Sequence, residues 1–563
     1  MIRISRRRSG TVAVAAAFVA VLGGGLIAAP ANAATPHAQP ASAHAGLPAA
    51  MITLGDSAIS GEGAGTDTHD AYDPGTDQGG DKHPTVPVNY CHRSHRTEIY
   101  DTGLGLTALN VACSGADTGD LVSDPAFLAV NGPGSGDFGE PKQDAQLKVL
   151  ATQYDIKMVV VQIGANDDFN FEPLVFDCIN NFLSGPGCRN DIGTPEIQRR
   201  VAVVKPKITN VLSDLRNTMR ADGYADGDYQ LVLQSYFTPV TPDVRNDDVF
   251  SQVNDGCPIT VEDLAWAHDL VVPALDDGMR QVAESVPGVR FLDQRRVTYG
   301  KEVCARSANS SNEYANGDVI DYSEQARNGC DQEITLPWYV TVVTGTLCEN
   351  MVRQTYHPRV AGYTAEGACL AGFFQQPAMT EGYCTADRTG AAELDPLTPG
   401  ADWTDRLRDG RWLRITAPGT TQALDIAGAT HSGDDQDGRL LQMSHVAGVV
   451  NQEFVANLRS DGNYTLNIGG NHAMCLDATT STAKAGVQSH QWGCNGKAWQ
   501  RWNVRPAGNG YYEIYTAVKS SMVLTRAGGS VTDHTAVVLE PDTHSAAQLW
   551  KLSELGIDRF GAN

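Results

Sequence analysis

The chain has 563 residues, with 42 Lys+Arg against 66 Asp+Glu and a formal charge of −24. At roughly 100 to 200 residues per domain, that length predicts more than one domain, with two as the working count, and the acidity excludes phosphate-rich partners such as nucleic acid. The 12 cysteines are an even set without tight C-x-x-C pairs or clustered histidines, which argues for disulfides and against a metal site.

At the start of the chain, Arg3, Arg6, Arg7 and Arg8 precede an Ala/Val-rich run from Thr11 to Ala29, and Ala31-Asn32-Ala33 offers a small-residue cleavage site. This predicts an export signal over residues 1–33 and a secreted, extracellular protein. Removal of four arginines and no acid leaves a charge of −28. An uncleaved anchor is the competing reading, because the run approaches the ~20 apolar residues a spanning helix needs. Residues 34–46, rich in Pro, Ala, Ser and His, predict a mobile lead-in. An oxidising destination favours disulfides, and short separations pair Cys91 with Cys113, Cys178 with Cys188, Cys369 with Cys384, and Cys475 with Cys494. Cys257, Cys304, Cys330 and Cys348 stay unassigned.

A first domain is expected over 47–386. Met51 to Leu54, Met158 to Ile163, Leu231 to Leu233 and Val289 to Leu292 are short apolar runs, the first two ending at a glycine, and read as buried strands. Between them Ile197, Val201, Val204, Ile208, Val211, Leu215 and Met219 recur at helical spacing behind Thr194-Pro195, a cap followed by a first-turn proline, with Pro206 a predicted kink. A second amphipathic stretch runs from Glu262 to Val282. The alternation predicts an α/β fold, a doubly wound, mostly parallel sheet with reactive groups at the carboxyl ends of its strands.

Residues 387–402, with Pro396 and Pro399, read as a linker. An all-β second domain follows over 403–555, where short strands alternate with Gly, Asn and Asp turns. Three triplets of the form Gln-x-aromatic recur at near-equal spacing: Gln452-Glu453-Phe454, Gln500-Arg501-Trp502 and Gln548-Leu549-Trp550. A single repeat cannot bury its apolar face alone, so the three aromatics predict a shared core.

Chemistry concentrates in the first domain. Gly55-Asp56-Ser57-Ala58-Ile59-Ser60-Gly61-Glu62-Gly63 follows a predicted strand. Cys91-His92-Arg93-Ser94, Cys113-Ser114-Gly115-Ala116, Gly164-Ala165-Asn166-Asp167 and Tyr356-His357-Pro358 come after it in that order. Together these blocks resemble the SGNH (GDSL) hydrolase family over roughly Leu47 to Cys384, and look closest to its secreted bacterial esterases and lipases. The resemblance implies Ser57 as nucleophile and His357 as base, with the N–H groups of Ser57 and Gly115 and the amide of Asn166 as oxyanion donors. It implies no cofactor. A serine hydroxyl needs an adjacent base, an imidazole near pKa 6.5 can take and return the proton, and preorganised donors are worth ~3 to 4 kcal/mol each. Most members carry an Asp three residues before the histidine, and Gln354 stands there in this chain. The second imidazole nitrogen is therefore expected to meet either the Gln354 side-chain oxygen or, preferably, a main-chain carbonyl. Glu349 is the alternative acid.

The second domain resembles the ricin B-type β-trefoil lectins through its Gln-x-Trp triplets, Cys475-Leu476-Asp477 and Trp492-Gly493-Cys494-Asn495. The resemblance implies hexose-binding candidates Asp425, Asn451 and Gln452 in the first repeat and Asp477, Trp492 and Gln500 in the middle one, though no repeat carries the full set. Expected partners are an ester substrate, either lipid or acylated glycan, and a polysaccharide on the trefoil, with the protein a monomer. The competing functions are a polysaccharide-deacetylating esterase and a carbohydrate-binding protein with an inactive first domain.

Overall fold

The computed structural model describes residues 44, 46–64, 72–134, 136–182, 187–246, 248–317, 327–330, 333–334, 347–386, 392–396, 410–428, 436–447, 449–459, 461–469, 471–479 and 481–556. The expected export signal, its cleavage site, and most of the lead-in and linker lie outside these residues.

The first sheet contains β1 (Ala49–Gly55), β2 (Thr107–Asn110), β3 (Asp155–Gln162), β4 (Gln230–Gln234), β5 (Val289–Arg296), β6 (Glu381–Ala386) and β7 (Ala392–Pro396), in the order β2-β1-β3-β4-β5-β6-β7. Six strands run parallel, and β7 pairs antiparallel to β6. Ala50, Met51, Ile52 and Leu54 of β1 and Val159, Val160 and Val161 of β3 are fully buried. Strands covered on both faces read as continuous apolar runs for that reason. The winding reverses between β1 and β3, and the crevice outside their carboxyl ends is where such sheets hold ligands.

The expected long helix spans Thr194–Ala221 with Pro206 inside it, and Ile197, Val204, Ile208, Val211, Leu215 and Met219 face the core. Its N-cap is Gly193, without a side-chain cap bond, so Thr194 opens the helix instead of capping it. The second stretch is interrupted. Helix Val261–Trp266 passes through a π-helical turn, Ala267–Val271, into helix Val272–Ser285.

Two expectations are corrected. His44, assigned to the mobile lead-in, is buried and stacks on Tyr224 with ring centroids 3.8 Å apart. Ala392–Pro396, assigned to the linker, forms the edge strand β7, because main-chain pairing to β6 does not need apolar side chains at every position.

From Arg411 to Gly556, twelve strands among the described residues form the antiparallel β-trefoil. Its core includes Phe454, Trp502 and Trp550, all fully buried, and each preceding glutamine is buried as well. The Gln452, Gln500 and Gln548 oxygens accept from the N–H groups of Ala447 (2.9 Å), Asn495 (2.8 Å) and Thr543 (2.9 Å). Their amides donate to the carbonyls of His445, Gly493 and Pro541. The triplet thus repeats because each glutamine closes a turn while the aromatic fills the core.

The structure pairs Cys91 with Cys113, Cys178 with Cys188, Cys369 with Cys384 and Cys475 with Cys494, and joins the unassigned cysteines as Cys257–Cys304 and Cys330–Cys348. Among the described residues, no helix is long and apolar enough to cross a membrane.

Candidate active site

Ser57 opens the short helix Ser57–Ser60 directly after β1. The turn is enforced by Gly55, at φ +143°, where a Cβ would lie 1.9 Å from the Gln162 carbonyl oxygen. The Gln143 side chain fixes the same glycine from both sides, accepting from its N–H at 2.7 Å and donating to its carbonyl at 2.9 Å. Asp56 caps the helix by accepting from the Ala58 N–H at 3.1 Å and also accepts from the Tyr236 hydroxyl. Burial pushes the Asp56 carboxyl up to about 7, against the pull of the Tyr236 hydrogen bond.

His357 Nε2 lies 2.8 Å from Ser57 Oγ, and both residues are half-buried. Nδ1 meets the Thr355 carbonyl at 3.1 Å. A carbonyl accepts only, so Nδ1 carries the proton and Nε2 is left as the acceptor for the serine hydroxyl. Of the two orienters expected, the main-chain carbonyl is therefore the one at the ring. Gln354 is buried nearby and its own carbonyl accepts from the His357 N–H at 3.2 Å. Glu349 pairs with Arg353 at 3.0 Å. Burial lowers the His357 pKa, opposed by the negative charge of Glu62.

Gly115 adopts φ +85°, a region that favours glycine, and open space surrounds the place of its missing Cβ. One N–H of the Asn166 amide is spent on the Ala116 carbonyl, at 3.0 Å, and an amide has a second N–H to give. Asp167 holds the two turns together by accepting from the Thr118 N–H (3.1 Å) and hydroxyl (2.7 Å). Tyr236 is a second clamp, its hydroxyl accepting from the Ala165 N–H at 3.1 Å while donating to Asp56.

Ser57, Gly115, Asn166 and His357 line one cavity of about 410 Å3. Its walls include Phe138, Phe169, Phe171, Phe176, Phe237 and Leu275. Thr355, Asp167 and Tyr236 were not anticipated. A main-chain acceptor leaves no residue-type signal, and Tyr236 lies far in sequence from every block it joins.

In the trefoil, Asp425 accepts from Asn451 (3.2 Å), Gln452 (3.0 Å) and Gln442 (3.1 Å). Asp477 accepts from Gln500 at 3.1 Å and faces His490 Nε2 at 3.5 Å. Trp492 is 43% exposed, with its ring 5.6 Å from that of His490. Asn451, Gln452 and Gln500 are buried supports of the two aspartates, and Gln442 and His490 join these sites unforeseen.

Residues 450–540 and 498–560 match the ricin-type β-trefoil lectin domain-like family. The C-terminal part of the chain is thus a ricin B-type β-trefoil. No curated protein matches. Among solved structures, phospholipase A1 from Streptomyces albidoflavus NA297 is 18% identical, over 58% of this chain and 99% of that one, with a TM-score of 0.35. The designed threefold-symmetric protein ThreeFoil is 24% identical over 26% of this chain and 99% of its own, TM-score 0.24. The Macrolepiota procera ricin B-like lectin in complex with lactose is 16% identical over 26% and 97%, TM-score 0.22.

Proposed function

We propose that the protein is a secreted serine ester hydrolase that works through an acyl-enzyme on Ser57, with a trefoil that binds glycan weakly. The observation that carries the proposal is the Ser57 Oγ to His357 Nε2 distance of 2.8 Å with Nδ1 on a carbonyl. In this reading His357 takes the serine proton as the hydroxyl attacks the ester carbonyl, and returns it to the leaving alcohol. The N–H groups of Ser57 and Gly115 and the Asn166 amide receive the charge that develops on oxygen. Six disulfides suit an extracellular setting.

The six apolar wall residues favour a fatty acyl chain as substrate. An acetyl group would leave them facing water, whereas each buried methylene is worth about 0.8 kcal/mol, close to fourfold in kcat/KM. The test is turnover of p-nitrophenyl esters of increasing chain length by the wild type and Ser57→Ala. The expected result is kcat/KM rising from acetyl toward octanoyl and lost in the variant. Equal turnover by both proteins would refute the hydrolase reading, and an acetyl optimum would return the substrate to acetylated polysaccharide.

The trefoil reading rests on the middle repeat, where the exposed Trp492 stands beside His490 and Asp477. Retention of the full chain on insoluble polysaccharide, lost in Asp477→Ala, is the expected outcome. No retention on any polysaccharide would leave the trefoil a purely structural domain.

A further inference from the structure

Three of the sequence blocks meet at a carboxylate that the proposed reaction leaves without a task. Glu62, the acid of Gly61-Glu62-Gly63, is fully buried. Its Oε2 accepts from His92 Nδ1 at 2.7 Å and from the Ser114 hydroxyl at 2.7 Å, and its Oε1 accepts from the Tyr72 hydroxyl at 3.1 Å. Ser114 immediately precedes Gly115. On the other side, Gly63 packs directly on the histidine: a Cβ there would lie 3.0 Å from His357 Cβ and 2.6 Å from Asn316 Nδ2. The same Asn316 amide donates to the Gly63 carbonyl at 3.1 Å and the His357 carbonyl at 3.3 Å, stitching the two segments together.

The charges follow from these neighbours. Burial works against ionisation of Glu62, but the charge and hydrogen bond of His92 outweigh it and hold the carboxyl at about 2. Burial likewise disfavours the His92 cation, yet Glu62 and Asp77, whose oxygen lies 3.8 Å from Nε2, raise it to about 9. The groups acting on His357 are Glu62, which favours the protonated ring, His92, which disfavours it more weakly, and the carbonyls of Thr355 and Arg353. Those acting on Glu62 are His92, His357 and Ser114, with Tyr72 on its other oxygen.

We propose that Glu62 is a positioning residue of the hydrolytic site, its carboxylate supplying the negative charge toward which the His357 imidazolium forms and aligning the Gly115 turn through Ser114. The Thr355 carbonyl holds His357 Nδ1, so Glu62 acts on the ring through space and on the Gly115 turn through Ser114. The inference rests on Ser57 and His357 being the reacting pair.

The test is the pH dependence of kcat and KM on a p-nitrophenyl ester for the full chain, Glu62→Gln, Glu62→Asp, and the double variant Glu62→Gln/His92→Gln. Loss of the negative charge makes the imidazole easier to deprotonate, so the acid limb of kcat/KM moves down by about one pH unit in Glu62→Gln, with kcat about tenfold lower and KM nearly unchanged. Glu62→Asp, which keeps the charge, recovers part of both. The double variant leaves no unpaired charge buried, so it keeps the question open to measurement where the single change prevents folding, and its limb moves in the same direction. An unmoved limb with kcat within about twofold of wild type in either folded neutral variant overturns the proposal. Wild-type turnover that survives Ser57→Ala would overturn the hydrolase reading itself, so the two failures are distinct.

Discussion

Ser57 and His357 are 300 positions apart in the chain and 2.8 Å apart in space, and a few polar side chains account for the approach. Asn316 ties the histidine segment to Gly63, Tyr236 ties the serine turn to the Asn166 turn, and Asp167 ties that turn to Thr118. Because burial lowers the His357 pKa, the base stays neutral to more acidic pH than an unperturbed imidazole, so the acid limb of kcat/KM should fall below pH 6.5. Gln354→Ala should leave that limb in place and cost less than about tenfold in kcat, because the Thr355 carbonyl fixes the tautomer. A loss as large as that of His357→Ala would make the Gln354 side chain essential.

At the level of elements, the strands that carry the site were legible because burial on both faces demands unbroken apolar runs, as in Val159-Val160-Val161. Ser57, Gly115, Asn166 and His357 were singled out through the resemblance of their blocks to the SGNH family, and the structure brings the four to one cavity. Three features were not. The π-helical turn at Ala267–Val271 lies in a stretch buried on nearly every side, so no break in an apolar stripe marks it. Strand β7 pairs through its main chain, and its sequence ends in a proline that reads as a linker. The Cys257–Cys304 pair closes a 47-residue separation, too long to single out by proximity. In the trefoil, Gln452 and Gln500, the sugar-binding candidates, each also close a turn, as does Gln548. Gln548→Ala, in the repeat whose Asp position holds Thr525, strands the Thr543 N–H and the Pro541 carbonyl. It should cost about 1–3 kcal/mol of stability in thermal or denaturant unfolding, with any turnover of p-nitrophenyl esters unchanged. A fully stable variant would show that the triplet is not structural.

Across the whole molecule, the two cores meet at a buried polar contact built on the π-helical turn. Asp269 accepts from Arg459 at 2.6 Å and from Asn467 at 3.2 Å, and Arg296 donates to Asn457 at 2.8 Å. Arg501 of the trefoil also pairs with Asp243. Buried charges such as these are costly to separate once formed, so the trefoil is held against the α/β part and not merely strung behind it. The cavity at the carboxyl ends of β1 and β3 is the place where the proposed chemistry stands or falls. The most direct test is intact-mass and peptide analysis after reaction of the full chain with an alkyl fluorophosphonate, which captures an activated serine covalently. The account predicts one adduct, on Ser57, absent in Ser57→Ala and strongly slowed in His357→Ala. No adduct on the folded protein, or an adduct elsewhere that leaves Ser57 unmodified, would contradict it.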